Sequence, residues 1–449
     1  MRVLVANRSE IAVRVVRALK ELGLESVAVY SDADEEALHV KMANHAERIG
    51  KPPASKSYLD IDAVLDAAER SGADAIHPGY GFLAENAKFA AACKERGFIF
   101  VGPSAEAIER MGDKAAARRT AEEAGVPVVP GSNVLQDVEA AREAAASLSY
   151  PVMLKAAAGG GGRGIRVAED EGGLEQLFAG AQQEAQSAFG DGSLYLEKLV
   201  EKARHIEVQV LGDGERSVHL FERECSLQRR RQKLIEEAPA PNLSSETRDA
   251  MTAASVRLAD AVNYQGAGTV EYLVDTDSED FYFIEMNTRI QVEHPVTEMI
   301  TGVDLVAAQI TIALGEPLAY QQEDIRIQGT ALECRLNAED PKQNFRPSPG
   351  TIETLILPTG PGVRVDTALY PGYSVPPYYD SMIGKLVIHA ETRERVLARA
   401  KRALEELHIE GIPTTKALHQ DLLNVPEVKE GCYHTKFLEN WLKEEEAYG

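Results

Sequence analysis

The stretch 281–293 places Phe281, Phe283, Glu285, Asn287, Arg289, Gln291 and Glu293 at its odd positions, with Tyr282, Ile284, Met286, Ile290 and Val292 among the even ones. Side chains two apart share a face of a strand. An extended reading therefore gives one apolar face and one face with two carboxylates, two amides and a guanidinium. An ordinary amphipathic edge strand turns Thr, Lys and Ser outward instead. Upstream, 268–274 (Gly-Thr-Val-Glu-Tyr-Leu-Val) reads as a partner strand, and the polar 275–280 closes a hairpin. Folded symmetrically about Ser278, it sets Glu271 opposite Glu285, and facing like charges destabilise a sheet unless something neutralises them. Carboxylate and amide oxygens suit a hard divalent cation, Mg2+ or Mn2+, and Mg2+ is usually held by one or two carboxylates plus nucleotide phosphates.

A straight strand at ~3.3 Å per residue would separate Glu285 from Glu293 by ~26 Å, too far for one active centre. The chain is therefore predicted to bend after Asn287. Residues 288–293 then form an irregular segment curling over a metal-bound phosphate, and Pro295 ends it before a helix from about Val296.

The chain has 449 residues, 44% hydrophobic and 27% charged, enough for two or three domains with real cores. Residues 1–8 carry too short an apolar run for a signal peptide, and no stretch approaches the ~18 apolar residues of a membrane span, so the cytoplasm is the expected compartment. A formal charge of −23 argues against nucleic-acid or membrane-surface binding. Against that background the basic run 229–233 stands out as a local anion site. Cys93, Cys225, Cys334 and Cys432 show no metal spacing and read as reduced thiols. Cys225 precedes Arg229, Arg230, Arg231 and Lys233, a setting that can lower a thiol pKa, against a plain packing role.

Strand 2–6, helix 10–22 and strand 26–30 make a βαβ start whose first turn lacks a dinucleotide fingerprint. Helix 61–71, strand 75–77, helix 85–96 and strand 98–101 extend it into an open α/β sheet ending near 110. Helix 113–124 leads to strand 151–155, four successive glycines at 159–162 and Arg163. Bare N–H groups there can approach phosphates, and Lys155 beside them favours a nucleotide lid over a flexible linker. There is no Walker P-loop. Strands 195–200 and 205–210 lead back to the hairpin, and strands 330–336, 351–357 and 385–389 with helix 393–407 predict an α+β third domain. The tail 444–449 reads as frayed.

Together the 111–114 turn (Met-Gly-Asp-Lys), Lys155 with its glycine-rich hairpin, Glu197-Lys198, the run 229–241 and 283–298 resemble the ATP-grasp superfamily. More closely, His77-Pro78-Gly79-Tyr80-Gly81-Phe82, Glu236-Glu237-Ala238-Pro239-Ala240-Pro241, the stretch 285–295 and Pro376-Pro377-Tyr378-Tyr379-Asp380-Ser381-Met382 resemble biotin carboxylase, and the likeness covers essentially the whole chain. It implies α/β and α+β units in a three-domain ATP-grasp architecture: an N-terminal open α/β domain at 1–110, an ATP-grasp domain at 111–329 with a mobile lid at about 131–200, and a C-terminal α+β domain at 330–443.

By that resemblance Lys114, Lys155 and the Gly161 and Gly162 backbone contact ATP phosphates, and Glu197, Lys198, Leu199, Val200, His205 and Gln228 contact adenine and ribose. Glu271, Glu285 and Asn287 match Mg2+ (or Mn2+) ligands. Lys233, Arg289, Gln291 and Val292 match a bicarbonate pocket, Glu293 a general base, and Arg335 with Tyr80 the biotin contacts. The implied reaction deprotonates bicarbonate for attack on ATP, and the resulting carboxyphosphate carboxylates biotin. Three positions depart from the pattern: Ser9 and Ala158 stand where glycine is usual, and Arg231 stands where a nucleotide-contacting His is usual. No Ala-Met-Lys-Met site is present, so biotin is expected on a separate biotin carboxyl carrier protein, with carboxyltransferase subunits as further partners. Arg17, Glu21 and Arg364 match interface positions of a homodimer. The rival readings are a different ATP-grasp ligase joining an acyl phosphate to an amine, and an inactive nucleotide-binding regulatory protein. The segment 289–293 with Arg335 disfavours the first, and the complete ligand set disfavours the second.

Overall fold

The computed structural model describes residues 1–156, 165–189, 191–445 and 448. Five parallel strands form the N-terminal sheet, in the order His45–Gly50, Glu25–Ser31, Arg2–Val5, Ala75–His77, Ile99–Phe100. Val3, Leu4 and Val5 are wholly buried because helices cover both faces. Helix Ile61–Ser71 starts where the Asp60 carboxylate accepts from the Ala63 N–H and stops at Gly72, whose φ of 63° is open to glycine without strain.

The second sheet is antiparallel and eight strands wide: Phe281–Asn287, Gln265–Asp275, Ala203–Asp213, Ser217–Arg229, Gln232–Ala238, Thr330–Asn337, Met382–Ala390, Val363–Thr367. Gln232–Ala238 pairs directly with Thr330–Asn337, so the sheet runs unbroken across residue 330. Along Thr330–Asn337 the alternation is plain. Leu332, Cys334 and Leu336 enter the core under helix Arg393–Glu406, while Ala331, Glu333 and Arg335 take the opposite face, where Ala331 packs under helix His294–Thr301. One face of the sheet is thus built for packing and the other for charge. A third sheet, Ile165–Ala168, Val152–Ala156 and Leu194–Lys198, has its own small core with helices Val138–Leu148 and Glu171–Phe189.

Three sequence readings shift. Phe283 and Met286 are both buried in the core while Ile284 is 40% exposed, so the apolar residues do not all fall on even positions. The register jumps between Glu271 and Tyr272, which face Glu285 and Phe283. Ile284 is the extra residue of a β-bulge, and a bulge reverses parity along the strand. The expected strand 351–357 divides into Gly350–Thr351 and Thr354–Ile356, which pair with different strands, because wholly buried Ile352 turns into the C-terminal core. The helix expected from Val296 begins at His294. Pro295 sits in its first turn, where a missing N–H costs nothing.

Among the described residues no single helix is long and apolar enough to cross a membrane; His294–Thr301 and Leu305–Ala313 pass such a test only together, and they meet at 96°. Both pack into cores.

Buried histidines set an acid limit on the fold. Burial lowers His39, His219 and His419 to about 4 and His77 to about 3. A free imidazole takes a proton at about pH 6.5, so below that the unfolded chain binds protons that the folded chain refuses, and stability falls as pH drops toward the folded values. The melting temperature should therefore decline steadily from pH 6.5 to about 4, and less so in a His39→Gln, His419→Gln double variant. A flat wild-type profile over that range would contradict this reading.

Candidate active site

Lys233 lies on the sheet face under helix His294–Thr301. Its Nζ contacts Glu293 Oε1 at 2.6 Å, Glu207 Oε2 at 2.7 Å and Glu271 Oε1 at 3.2 Å. The second oxygen of Glu293 accepts from Arg335 Nη2 at 2.9 Å, and Arg335 Nε donates to Glu236 Oε1 at 2.6 Å. On the other side, Glu207 Oε1 accepts from Arg223 Nε at 2.6 Å. The result is an alternating ladder, Arg223–Glu207–Lys233–Glu293–Arg335–Glu236. Arg223 is wholly buried and is further tied to Gln209, Thr269 and Thr297.

Burial alone would push Glu293 up, but Lys233, Arg335 and Arg223 outweigh it and hold its carboxyl well below the usual carboxylate range. Glu293 is thus ionised and rigidly aimed. Burial, then the neighbouring Glu293 charge, raises Glu207. Cys225 Sγ lies 4.0 Å from Glu293 Oε1, and burial followed by the Glu207 charge pushes its thiol well up. It is a neutral packing residue among carboxylates rather than a thiol activated by the arginine run.

Glu271 and Glu285 are register partners, as the hairpin reading predicts. Glu271 Oε1 accepts from Asn287 Nδ2 at 2.9 Å and Gln291 Nε2 at 3.0 Å, and its other oxygen lies 3.0 Å from His205 Nε2, outside hydrogen-bond geometry. Burial opposes ionisation of Glu271, and Lys233 and His205 outweigh it, keeping its carboxyl well below the usual range. Glu285 is raised by burial and then by the Glu271 charge, with Lys114 opposing. Two facing carboxylates with an adjacent amide oxygen, one of them short of positive charge, fit a hard divalent cation.

The strand ends at Asn287 and 288–293 is irregular, as its length demanded. Arg289 Nε donates to Glu85 Oε2 at 2.9 Å and Nη1 to Gln291 Oε1 at 2.9 Å, while Glu85 Oε1 accepts from the Thr288 N–H at 3.1 Å. Val292 presents its carbonyl to Lys385 at 2.9 Å. Tyr80, beside this cluster, donates its hydroxyl to Glu10.

Lys155 is hydrogen bonded to Glu197 across neighbouring strands. The Lys198 N–H is taken by Pro130 O at 2.9 Å and the Leu199 N–H by Pro151 O at 3.2 Å, and Val200 and Gln228 are buried. Lys114 opens helix Lys114–Glu123 behind its cap Asp113. Gly161, Gly162, Ala158 and Arg163 lie outside the described residues, as do Glu446, Ala447 and Gly449 of the tail. Ser9 adopts φ 59° at the start of its helix, a conformation glycine takes more cheaply.

Arg231 stands in a turn. Residues 229–233 are not extended: Arg230 and Arg231 both have positive φ, 48° and 65°, and turn the chain between Arg229 and its partner Gln232. Arg231 is exposed at the hairpin tip, while Lys233 points into the ladder. Two left-handed residues in succession make a tight hairpin turn, and that turn leaves Arg231 and Lys233 in different surroundings. Glu207, Arg223, Glu236, Glu85 and Lys385 were absent from the predicted site. The only trace of the first two is charge placed within otherwise apolar strands.

This fold and site define an ATP-dependent ligase of the ATP-grasp class. Family models for "Biotin carboxylase, N-terminal domain", "Carbamoyl-phosphate synthase L chain, ATP binding domain" and "Biotin carboxylase C-terminal domain" match residues 1–108, 113–321 and 333–440. The chain is 54% identical to biotin carboxylase 1 of Bacillus subtilis, with 98% of each chain covered. It is 52% identical to the biotin carboxylase of Pseudomonas aeruginosa, again with 98% of each chain covered. The biotin carboxylase domain dimer of the Hydrogenobacter thermophilus 2-oxoglutarate carboxylase, solved with MgADP, ADP and bicarbonate, superposes with a TM-score of 0.88 at 51% identity, covering 98% of this chain and 97% of that one. The chain belongs to the biotin carboxylase family.

With Arg231 at an exposed tip, its fixed charge is screened by solvent. The Arg231→His variant should show an ATP KM whose pH and salt profiles superimpose on those of the parent between about pH 6 and 8, the range where a His charge changes. Diverging profiles would return Arg231 to the nucleotide site.

Proposed function

We propose that the chain carboxylates biotin held on a separate carrier protein, using ATP and bicarbonate, with the ladder as its reaction centre. The single observation that carries this assignment is the double grip on Glu293, one oxygen on Lys233 and the other on Arg335. A bicarbonate entering beside Arg289, Gln291 and the Val292 backbone replaces part of the Lys233 contact and meets an ionised carboxylate. Glu293 takes the bicarbonate proton, and the freed oxygen attacks the γ-phosphorus of ATP. The bond to the β-phosphate oxygen breaks, releasing ADP and leaving carboxyphosphate. Carboxyphosphate divides into CO2 and phosphate, the released phosphate takes the proton of the biotin ureido nitrogen, and that nitrogen adds to CO2. Arg335 holds the negative charge that gathers on the ureido oxygen, and Tyr80 flanks it.

Glu271, Glu285 and Asn287 would hold Mg2+ or Mn2+, which when bound neutralises charge on the nucleotide phosphates. Lys114, Lys155, Gly161 and Gly162 serve the phosphates, and Glu197, Lys198, Leu199, Val200, His205 and Gln228 the adenosine. The working units are 1–110, 111–329 and 330–443, with the small sheet at about 131–200 closing over the nucleotide. The first half-reaction of an acyl-CoA carboxylase is the reading for the whole assembly, with a biotin carboxyl carrier protein and carboxyltransferase subunits as partners in the cytoplasm. Arg17, Glu21 and Arg364 line one surface pocket with Arg14 and Glu298, which supports a homodimer contact through that surface.

Glu293→Gln removes the proton acceptor and Arg335→Ala the ureido partner, while the metal and phosphate ligands stay. Both variants should bind MgATP normally and lose biotin carboxylation by a factor of roughly 100 to 10,000. Turnover near the parent level in either would defeat the assignment.

A further inference from the structure

Lys385 is a lysine with no exposed surface. It stands on strand Met382–Ala390 directly across from Arg335. Its Nζ donates to the main-chain oxygen of Val292 at 2.9 Å and lies 3.2 Å from Glu10 Oε1. Glu10 sits in the first turn of the N-terminal helix Ser9–Glu21, is itself buried, and also receives the Tyr80 hydroxyl. One ammonium thus joins three stretches that are far apart in sequence.

The bonded carbonyl belongs to the peptide between Val292 and Glu293, so Lys385 fixes the plane from which the Glu293 side chain departs. The rest of the irregular segment has tethers of its own: Glu85 takes the Thr288 N–H at 3.1 Å, and His294 Nδ1 meets the Gln291 carbonyl at 2.7 Å. An isolated buried ammonium costs several kcal/mol, and a methionine would fill the same space without it. The charge is therefore retained for what it holds. Around it stand Glu333, whose two oxygens have no partner among the described residues, and Asp366, which is tied to Arg364.

We propose that Lys385 is a positioning residue for the reaction: with Glu10 and Tyr80 behind it, it pins the Val292–Glu293 peptide so that Glu293 meets the bicarbonate proton. The proposal rests on the reading of Glu293 as proton acceptor. It implies that loss of the ammonium misplaces bicarbonate chemistry while leaving nucleotide binding alone, because Lys155, Glu197, Glu271 and Asn287 are held by contacts that do not involve Lys385.

The test measures bicarbonate-dependent ATP hydrolysis in Lys385→Met, Lys385→Arg and Glu10→Gln, varying ATP and bicarbonate separately, with melting temperatures alongside. Lys385→Met should lose about 10- to 100-fold in kcat/KM for bicarbonate, as expected for a misplaced reacting group, with the KM for ATP unchanged. Lys385→Arg, still a donor to the Val292 carbonyl, should recover part of the loss. Glu10→Gln should show the same split to a smaller degree. A folded Lys385→Met with the parent's bicarbonate kinetics, or with ATP and bicarbonate parameters falling together, overturns the proposal. If Lys385→Met does not fold, Glu10→Gln decides, and parental bicarbonate kinetics there overturn it equally. A parent protein whose ATP hydrolysis ignores bicarbonate would instead defeat the underlying reading of Glu293.

Discussion

The alternation Arg223–Glu207–Lys233–Glu293–Arg335–Glu236 is the interaction on which the rest of the site depends. An unpaired charge inside a protein costs several kcal/mol, and removing one member of a buried pair typically costs about 3 to 5 kcal/mol. Here three cations and three carboxylates are each held by opposite charge, so the row is tolerable only as a whole. The same arithmetic gives the chemistry its direction. Glu293 stays ionised because cations flank it, and Arg335 stays charged because it lies between two carboxylates. Arg335 is therefore ready to exchange a carboxylate for the negative ureido oxygen, and Glu293 to accept a proton.

The sheet explains how such a row is assembled. Residues 207, 223, 233 and 335 come together because three consecutive strands and a fourth from far along the chain, Thr330–Asn337, lie side by side. Their opposite faces carry Leu234, Leu332 and Cys334 into a core that fixes register. A one-residue slip would turn the charges into that core. The last member, Glu293, arrives from the irregular segment, whose course is set by short tethers to Glu85, His294 and Lys385 rather than by sheet hydrogen bonds.

What could be read from the sequence followed from local periodicity. The opposition of Glu271 and Glu285, the bend after Asn287, helix Ile61–Ser71 and strand Ala75–His77 were all legible, because each depends on neighbours within a few residues. The bulge at Ile284 was not, since it answers to packing against a distant helix and partner strand. The turn at Arg230 and Arg231 was hidden for a related reason: two left-handed residues with no glycine carry little local signal. Glu207, Arg223 and Lys385 were missed because a charge in a buried strand reveals its purpose only when its partner from another strand is known. The resemblance supplied Lys233, Glu293 and Arg335 but not Glu207, Arg223 and Glu236, which complete the ladder around them.

If the ladder works as one unit, a double-mutant cycle on Glu207→Gln and Arg335→Met tests it most directly, because those residues lie at separate rungs and do not touch. The readout is the rate of bicarbonate-dependent ATP hydrolysis in the parent, the two single variants and the double variant. Groups that act as a unit are grossly non-additive, so the double variant should be scarcely slower than the worse single one. Losses that multiply, as for two independent residues, would contradict a single cooperative ladder.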